Sequence, residues 1–265
     1  MIKMNISSKF NTLLFGGALI SAVAVAGTVF TLSERFVSQA MQDKLTSVEG
    51  EFRSELASSQ RAATMLALFV SEQQTSKDAM AAGDRERLTT ENLGAFGALQ
   101  DEYDVRQFQF HLPPATSFLR VHKPEKFGDD LSGFRNTVLE VNSSKTTLNG
   151  LEAGAAGIGI RGLAPISKDG QHLGSVEFGL SLHSGFVEKF TRNSGLPAAI
   201  FAIGDNELRQ IGNTFPAEID PEKVFELASL VDKRVTFETM PETDGNFASV
   251  VFPIKDFSDL SLIHI

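Results

Sequence analysis

The sequence predicts an α+β protein in which a transmembrane helix and a long stalk helix precede two antiparallel-sheet units. Three observations predict it. Leu13 to Leu32 carries no charge over about twenty residues, enough to span a hydrocarbon core of roughly 30 Å. From Ser33 to about Ser76 there is no proline and a single glycine, Gly50, while apolar or small residues recur in steps of three and four. Beyond Val105 the apolar period shortens to two, and Gly, Pro and Asp break the chain into short runs.

Composition suits a globular core behind an anchor. The 265 residues are 42% hydrophobic, with 22 phenylalanines, one tyrosine and no tryptophan. A net charge of -9 argues against nucleic acid as a partner. The absence of cysteine excludes disulfides and thiolate metal sites. Lys3 and Lys9 precede the apolar run, and no acidic residue occurs before Glu34. The positive-inside rule then places the N-terminus in the cytoplasm and the rest outside, with one N-terminal span. Ala22-Val23-Ala24 has the form of a signal cleavage site, but the helical pattern runs through it, which favours an uncleaved anchor over residues 13–32.

The stalk places Met41, Leu45, Val48, Phe52, Leu56, Ser59, Ala63, Leu66 and Val70 on one stripe. Near-heptad spacing predicts a homodimer through this helix; packing on its own domain is the alternative. Ser76 to Asp84 reads as a polar break. Asp84 caps a second helix, Arg85 to Tyr103, with Leu88, Leu93, Phe96 and Leu99 apolar. Val105 to Leu112 is a strand ended by Pro113-Pro114, and Ser117 to His122 is its hairpin partner. Lys123 to Asp130 is a loop, and Leu131 to Ser143 a short helix with Phe134, Val138, Leu139 and Val141 apolar. Leu151 to Gly154 is weakly extended. Ile158 to Ile166 and His172 to Leu182 are strands joined at Lys168-Asp169-Gly170. In the second of these, Val176, Phe178 and Leu180 share one face, and Ser175, Glu177 and Gly179 the other.

Ser184 to Ser194 is a helix stopped by Gly195 and Pro197. A smaller unit follows: strands Ala198 to Ile203 and Leu208 to Gly212, a helix opened by Asp220-Pro221-Glu222, and strands Val235 to Met240, Phe247 to Ile254 and Leu260 to Ile265. The expected division is a cytoplasmic tip and anchor (1–32), stalk and second helix (33–98), a first sheet unit (99–195) and a second (196–265).

His111 to Arg135 is the densest cluster of binding-capable side chains. Pro113, Pro114 and Pro124 pre-shape its backbone. Arg120 and His122, two apart on a predicted strand, share a face; an arginine grips a carboxylate through two parallel hydrogen bonds. Asp129 and Asp130 would receive an amine or pair with Arg120. His111, Phe118 and Phe127 complete the candidate ligand set here. Arg161 and Glu177 lie on neighbouring strands, where Glu177 either accepts a ligand ammonium or pairs with Arg161.

Gly157 to Gly162 fits G-x-G-x-x-G, but its gaps are β-branched and a strand continues beyond it, so a dinucleotide site is not expected. The histidines at 111, 122, 172, 183 and 264 have no paired ligand spacing. No HExxH, calcium loop or nucleophile elbow occurs. No catalytic residue, metal or cofactor is expected.

The string from Phe108 to Asp130, FQFHLPPATSFLRVHKPEKFGDD, resembles the double-Cache sensor domains of the third type. Gly159 to Gly162, Gly174 to Gly179 and Phe252 to Asp256 are similar to the same family. The resemblance covers roughly Ser33 to the C-terminus. It implies two PAS-like (Cache) units on a long N-terminal helix, set between two membrane spans in chemotaxis receptors, sensor histidine kinases and cyclic-dinucleotide enzymes. It also implies ligand binding in the membrane-distal unit, here roughly Leu99 to Leu182. No second span or output domain is expected within the 265 residues themselves. The expectation is therefore a chemoreceptor-like sensor region, not an enzyme, binding a small carboxylate or amino acid, with a cationic amine as the rival ligand. The alternatives are the sensor region of a kinase or cyclic-dinucleotide enzyme, a module binding a periplasmic protein, and a truncated receptor fragment.

Overall fold

The computed structural model describes residues 6–154, 157–203, 208–215, 235–238, 248–258 and 261–264. The helix expected after Asp220 and the turn at Gly204 lie outside them. Residues 1–48 and 49–265 form two compact units. Helix α1 is Ile6–Glu72. Near its N-terminus it holds an 18-residue window of mean hydropathy 2.1, none of it buried, so it is long and apolar enough to cross a membrane.

From Phe52 onward the near-heptad stripe packs into the domain core, and Leu45 before it is also buried. Phe52, Leu56, Ser59, Ala63 and Val70 are buried, joined by Ala67. The Phe52 ring meets Phe186 at 5.2 Å, Phe190 at 5.1 Å and Phe252 at 5.8 Å. In this stretch the side chains that suggested a dimer seam pack within the chain's own domain, and Met65, Leu68 and Phe69 are left exposed.

The expected polar break is largely helical: α2 is Gln74–Ala82, burying Ser76, Ala79 and Met80. It ends at Gly83, whose φ of 67° suits the left-handed cap. Helix α3, Arg85–Tyr103, starts where the cap predicted, with Asp84 accepting a hydrogen bond from the Arg87 N–H. Leu88 and Phe96 are buried, but Leu93 faces solvent.

Strands β1 (Val105–Leu112), β2 (Thr116–Arg120), β3 (Leu148–Gly154), β4 (Gly157–Lys168) and β5 (Gln171–Ser181) form an antiparallel sheet in the order β2-β1-β5-β4-β3. One face carries Phe108, Phe110, Ala164, Val176 and Phe178 into a core with Ala63, Ala67, Leu88 and Phe96. Phe108 and Phe178, directly opposed in register, stack at 4.2 Å. Helix and sheet meet most closely at Gly162. A β-carbon there would overlap the Thr64 nitrogen and the Ala63 carbonyl carbon and lie 2.7 Å from Ala63 Cβ.

The other face is covered by α4, Asn136–Ser144, through Val138 and Val141 against Leu131, Leu163 and Ala115. This helix begins five residues later than predicted, and Phe134, expected on its apolar face, is exposed before it.

Helix α5, Ser184–Ser194, matches its prediction, closed by Gly195 at φ 72°. Strands β6 (Ala199–Ile203) and β7 (Leu208–Asn213) join β10 (Pro253–Lys255) and β11 (Ser261–His264) in a second sheet ordered β10-β11-β6-β7. Strands β8 (Val235–Glu238) and β9 (Ala248–Val251) form a separate pair. The single strand expected from Phe247 to Ile254 is thus divided. Phe252 leaves the ladder to join the Phe52 rings, and Pro253 has no N–H to donate.

Candidate functional site

The face of the five-stranded sheet beneath α4 is polar and buried. Its centre is Glu177 on β5, wholly shielded from solvent. Register lines Gln109, Glu177 and Leu163 across β1, β5 and β4, and Gln107, Gly179 and Arg161 one row away. The alternation read from β5 therefore holds: Val176 and Phe178 face the helices, and Ser175 and Glu177 face this site.

Four charges close on one another. Arg135, at the N-cap of α4, donates from Nε to Glu152 Oε2 at 2.7 Å and from Nη2 to Glu177 Oε2 at 2.5 Å. Glu152 also accepts the Thr137 N–H at 2.7 Å and the Thr137 hydroxyl at 2.5 Å. Arg161 donates from Nη1 to Gln107 Oε1 and, at 3.4 Å, to Glu177 Oε1. Two guanidinium groups and two carboxylates balance in charge, as burial requires.

Burial alone would raise the Glu177 pKa, but Arg135 and Arg161 outweigh it and hold the carboxyl down at about 2. Burial lowers Arg161 to about 10. Arg135 is raised despite its burial, by Glu177 and Glu152. His111 Nε2 is 3.8 Å from Glu177 Oε2. Burial, aided by the neighbouring arginines, lowers His111 to about 4, so it is neutral at pH 7 and makes no ion pair there.

Satisfaction is incomplete. Arg161 Nε, His111 Nε2 and Ser117 Oγ are buried without a hydrogen-bond partner. Ser117 is the cross-strand neighbour of His111. The space around the Arg161 guanidinium is kept by bare glycines: a β-carbon on Gly154 would lie 3.0 Å from Nη2, one on Gly159 3.1 Å from Cζ, and one on Gly179 would overlap Nη1. The G-x-G-x-x-G pattern is therefore strand throughout; Gly159 clears room for Arg161 and Gly162 admits α1.

Of the sequence-predicted ligand residues, the structure brings His111, Arg161 and Glu177 together. Arg120 lies nearby, but both arms of its guanidinium are engaged by Asp129, at 2.7 Å each, and Nη1 also donates to the Lys126 carbonyl at 2.9 Å. That pair holds the Asp129 carboxyl below its ordinary range. Arg120 and His122 do not share a strand face, because β2 ends at Arg120. His122 instead lies 6.3 Å from the Phe96 ring, with Nδ1 3.3 Å from the Phe108 carbonyl, and burial lowers its pKa. Asp130 accepts from the Ser132 N–H and hydroxyl at 2.9 Å each. Phe118 and Phe127 flank Arg85, 5.5 and 3.7 Å from its guanidinium carbon.

Arg135 closes the stretch singled out in the sequence but is not among the predicted ligand residues, and neither is Glu152. The signal for Glu152 was the one that marked Glu177: a carboxylate inside an otherwise apolar extended run. An open groove of about 590 Å³ runs beside α4, bounded by Pro113, Pro114, Asn136, Leu139, Asn142 and Phe257; none of the predicted site residues line it. Among the described residues no group of three His, Cys, Asp or Glu could hold a metal ion.

A long apolar helix, a five-stranded and a four-stranded antiparallel sheet, a separate two-stranded pair and a buried polar face make up the described fold. The chain belongs to the dCache_3 family, the double sensory domain of two-component sensor kinases, whose sequence model matches residues 38–213. Among solved structures it is similar to the sensor domain of the Vibrio cholerae histidine kinase DctB, at 10% identity, TM-score 0.53, and coverage of 85% of this chain and 96% of that one. A domain of a putative sensory box/GGDEF family protein from Vibrio parahaemolyticus matches at 13% identity and TM-score 0.54, covering 86% and 95%. The sensory domain of the Campylobacter jejuni chemoreceptor Tlp3, with isoleucine bound, matches at 13% identity and TM-score 0.49, covering 86% and 90%. No curated protein matches the sequence.

Proposed function

We propose that this chain is the periplasmic sensor region of a receptor held in the bacterial inner membrane by α1, and that it binds a small carboxylate or amino acid on the polar face of the five-stranded sheet. In this reading residues 99–195 are the membrane-distal unit, 196–265 the proximal one and 33–98 the stalk region. One observation carries the ligand assignment: Arg161 is buried with Nε unpartnered and only a 3.4 Å contact to its nearest carboxylate. An unmet buried donor costs about 1–3 kcal/mol, which a ligand oxygen would recover. His111 Nε2 and Ser117 Oγ offer further polar atoms on the same face, and Glu177 would receive an ammonium. Arg120 is a poorer candidate because Asp129 already occupies its fork.

Titration calorimetry of the full chain against organic acids, amino acids and polyamines tests the assignment. Carboxylate binding should weaken at least about tenfold in Arg161→Lys, which loses the planar fork, and persist in Arg120→Ala. Dependence on Arg120 alone would move the site to the hairpin loop. Binding of polyamines only would make Glu177 the principal contact, and no binding by any of the three classes would overturn the solute reading. The family description supports a two-component kinase as the output, with a chemotaxis output as the rival; phosphotransfer against methylation in the intact receptor separates them. The exposed side of α1 at Met65, Leu68 and Phe69 supports pairing with a second copy.

A further inference from the structure

We propose that the first turn of α4 reports the state of the buried ion cluster to the four-stranded sheet, with Asn136 and Leu151 as the points of transfer. The proposal rests on reading that cluster as the solute site. Two of the cluster's charges stand next to anchors of the segment between β10 and β11. Arg135 precedes Asn136, whose amide donates to Ser258 Oγ at 2.8 Å. Glu152 follows Leu151, whose carbonyl accepts the Phe257 N–H at 2.8 Å.

The Phe257 ring strengthens the link. It packs over Gly150, where a β-carbon would lie 3.1 Å from Phe257 Cδ2. Gly150 is the direct cross-strand partner of Arg161, and directly opposed residues share a sheet face. The ring therefore lies on the polar face, at the edge strand beside the cluster. Strand β10, which leads into this segment, is fixed to α1: Arg53 donates to the Pro253 carbonyl at 3.0 Å, and Phe252, just before the strand, packs on Phe52 at 5.8 Å. Strand β10 is thus tied to α1, and the turn that follows it, at Phe257 and Ser258, to β3 and α4.

The mechanism is competition. A solute carboxylate on Arg161 displaces Glu177 from that guanidinium; Glu177 then draws on Arg135 alone, and Arg135 shifts against Glu152. Glu152 also holds the Thr137 N–H and hydroxyl, so the first turn of α4 has three hydrogen bonds to this one carboxylate. When Glu152 moves they change together, and Asn136 sits within that turn. Coupling between two sites is reciprocal, so disturbing Phe257 must also be felt at Thr137.

Amide exchange at single-residue resolution, on the full chain in detergent micelles without solute, tests this. Thr137→Val removes the hydroxyl donor with little change in size and should speed exchange of the Phe257 amide about tenfold, the scale of one lost buried hydrogen bond. Asp129→Asn, which breaks the Arg120 pair in the same unit, should leave that amide unchanged. Phe257→Ala should speed exchange of the Thr137 amide. If Thr137→Val strips protection from β4 and β5, the Phe257→Ala measurement decides alone. An unchanged Phe257 amide with the sheet still protected overturns the relay, as does an equal rise in Asp129→Asn. Because no solute is used, absence of carboxylate binding refutes the solute reading alone, and absence of coupling refutes the relay alone.

Discussion

Arg135 and Glu177 lie 42 residues apart in the sequence and meet at 2.5 Å between Nη2 and Oε2, in the interior. Removing one partner of a buried pair leaves an uncompensated charge, at a cost of about 3–5 kcal/mol. Arg135→Met should therefore lower the unfolding free energy by that amount, read from urea titration. A loss under about 1 kcal/mol would mean that the pair does not hold α4 to the sheet.

Stability should fall as the pH drops from about 6.5 to about 2. His111 has a folded pKa of about 4 against 6.5 for the free side chain. Between those values the unfolded chain binds a proton that the folded chain does not, so stability falls with pH at about 1.4 kcal/mol per unit. Glu177 is lowered from 4.5 to about 2, so its contribution is complete above about pH 4.5 and is lost as the pH falls towards 2. His122 and His172, also lowered by burial, add to the upper limb. The diagnostic quantity is thus the difference between wild type and His111→Gln, which should be less steep from pH 6.5 to 4 and unchanged below. Equal slopes would place His111 outside the buried cluster.

Two glycine-to-alanine substitutions should act in opposite directions. Gly162→Ala drives a methyl group into the α1 backbone and should cost at least about 2 kcal/mol. Gly94→Ala, inside α3 with nothing within 4 Å of the new carbon, should stabilise by about 0.5–1 kcal/mol. Thermal unfolding of the two variants checks both signs; a neutral Gly162→Ala would mean that α1 stands off the sheet.

Phe69→Glu tests pairing of the stalk. Its side chain is exposed, so the variant should fold normally, shown by an unchanged melting temperature. In membranes it should cross-link to a second copy less than the wild type does. Undiminished cross-linking would move the contact away from this part of α1.

Much of the fold was legible because its signals are local. Asp84 marked the start of α3 within one hydrogen bond, Gly195 marked the end of α5, and alternation along β5 divided Val176 and Phe178 from Ser175 and Glu177. The site was half legible for the opposite reason. Arg135, Glu152 and Glu177 come from α4, β3 and β5, and nothing in the spacing of 17 and 42 residues between them shows that they meet. The stripe from Phe52 to Val70 showed which residues would be covered, but not by what. Periodicity reports burial; it does not distinguish a second helix from the chain's own sheet. His122 was misplaced because the two-residue rule was carried past the end of β2.

At Gly162, main chain rests on main chain. Most contacts between a helix and a sheet run through side chains, which swing between rotamers and absorb small displacements. Here Ala63 and Thr64 press on an α-carbon that bears nothing beyond hydrogen, and the joint has no compliant layer. A shift of β4 passes to this part of α1 as it would through a weld rather than a hinge.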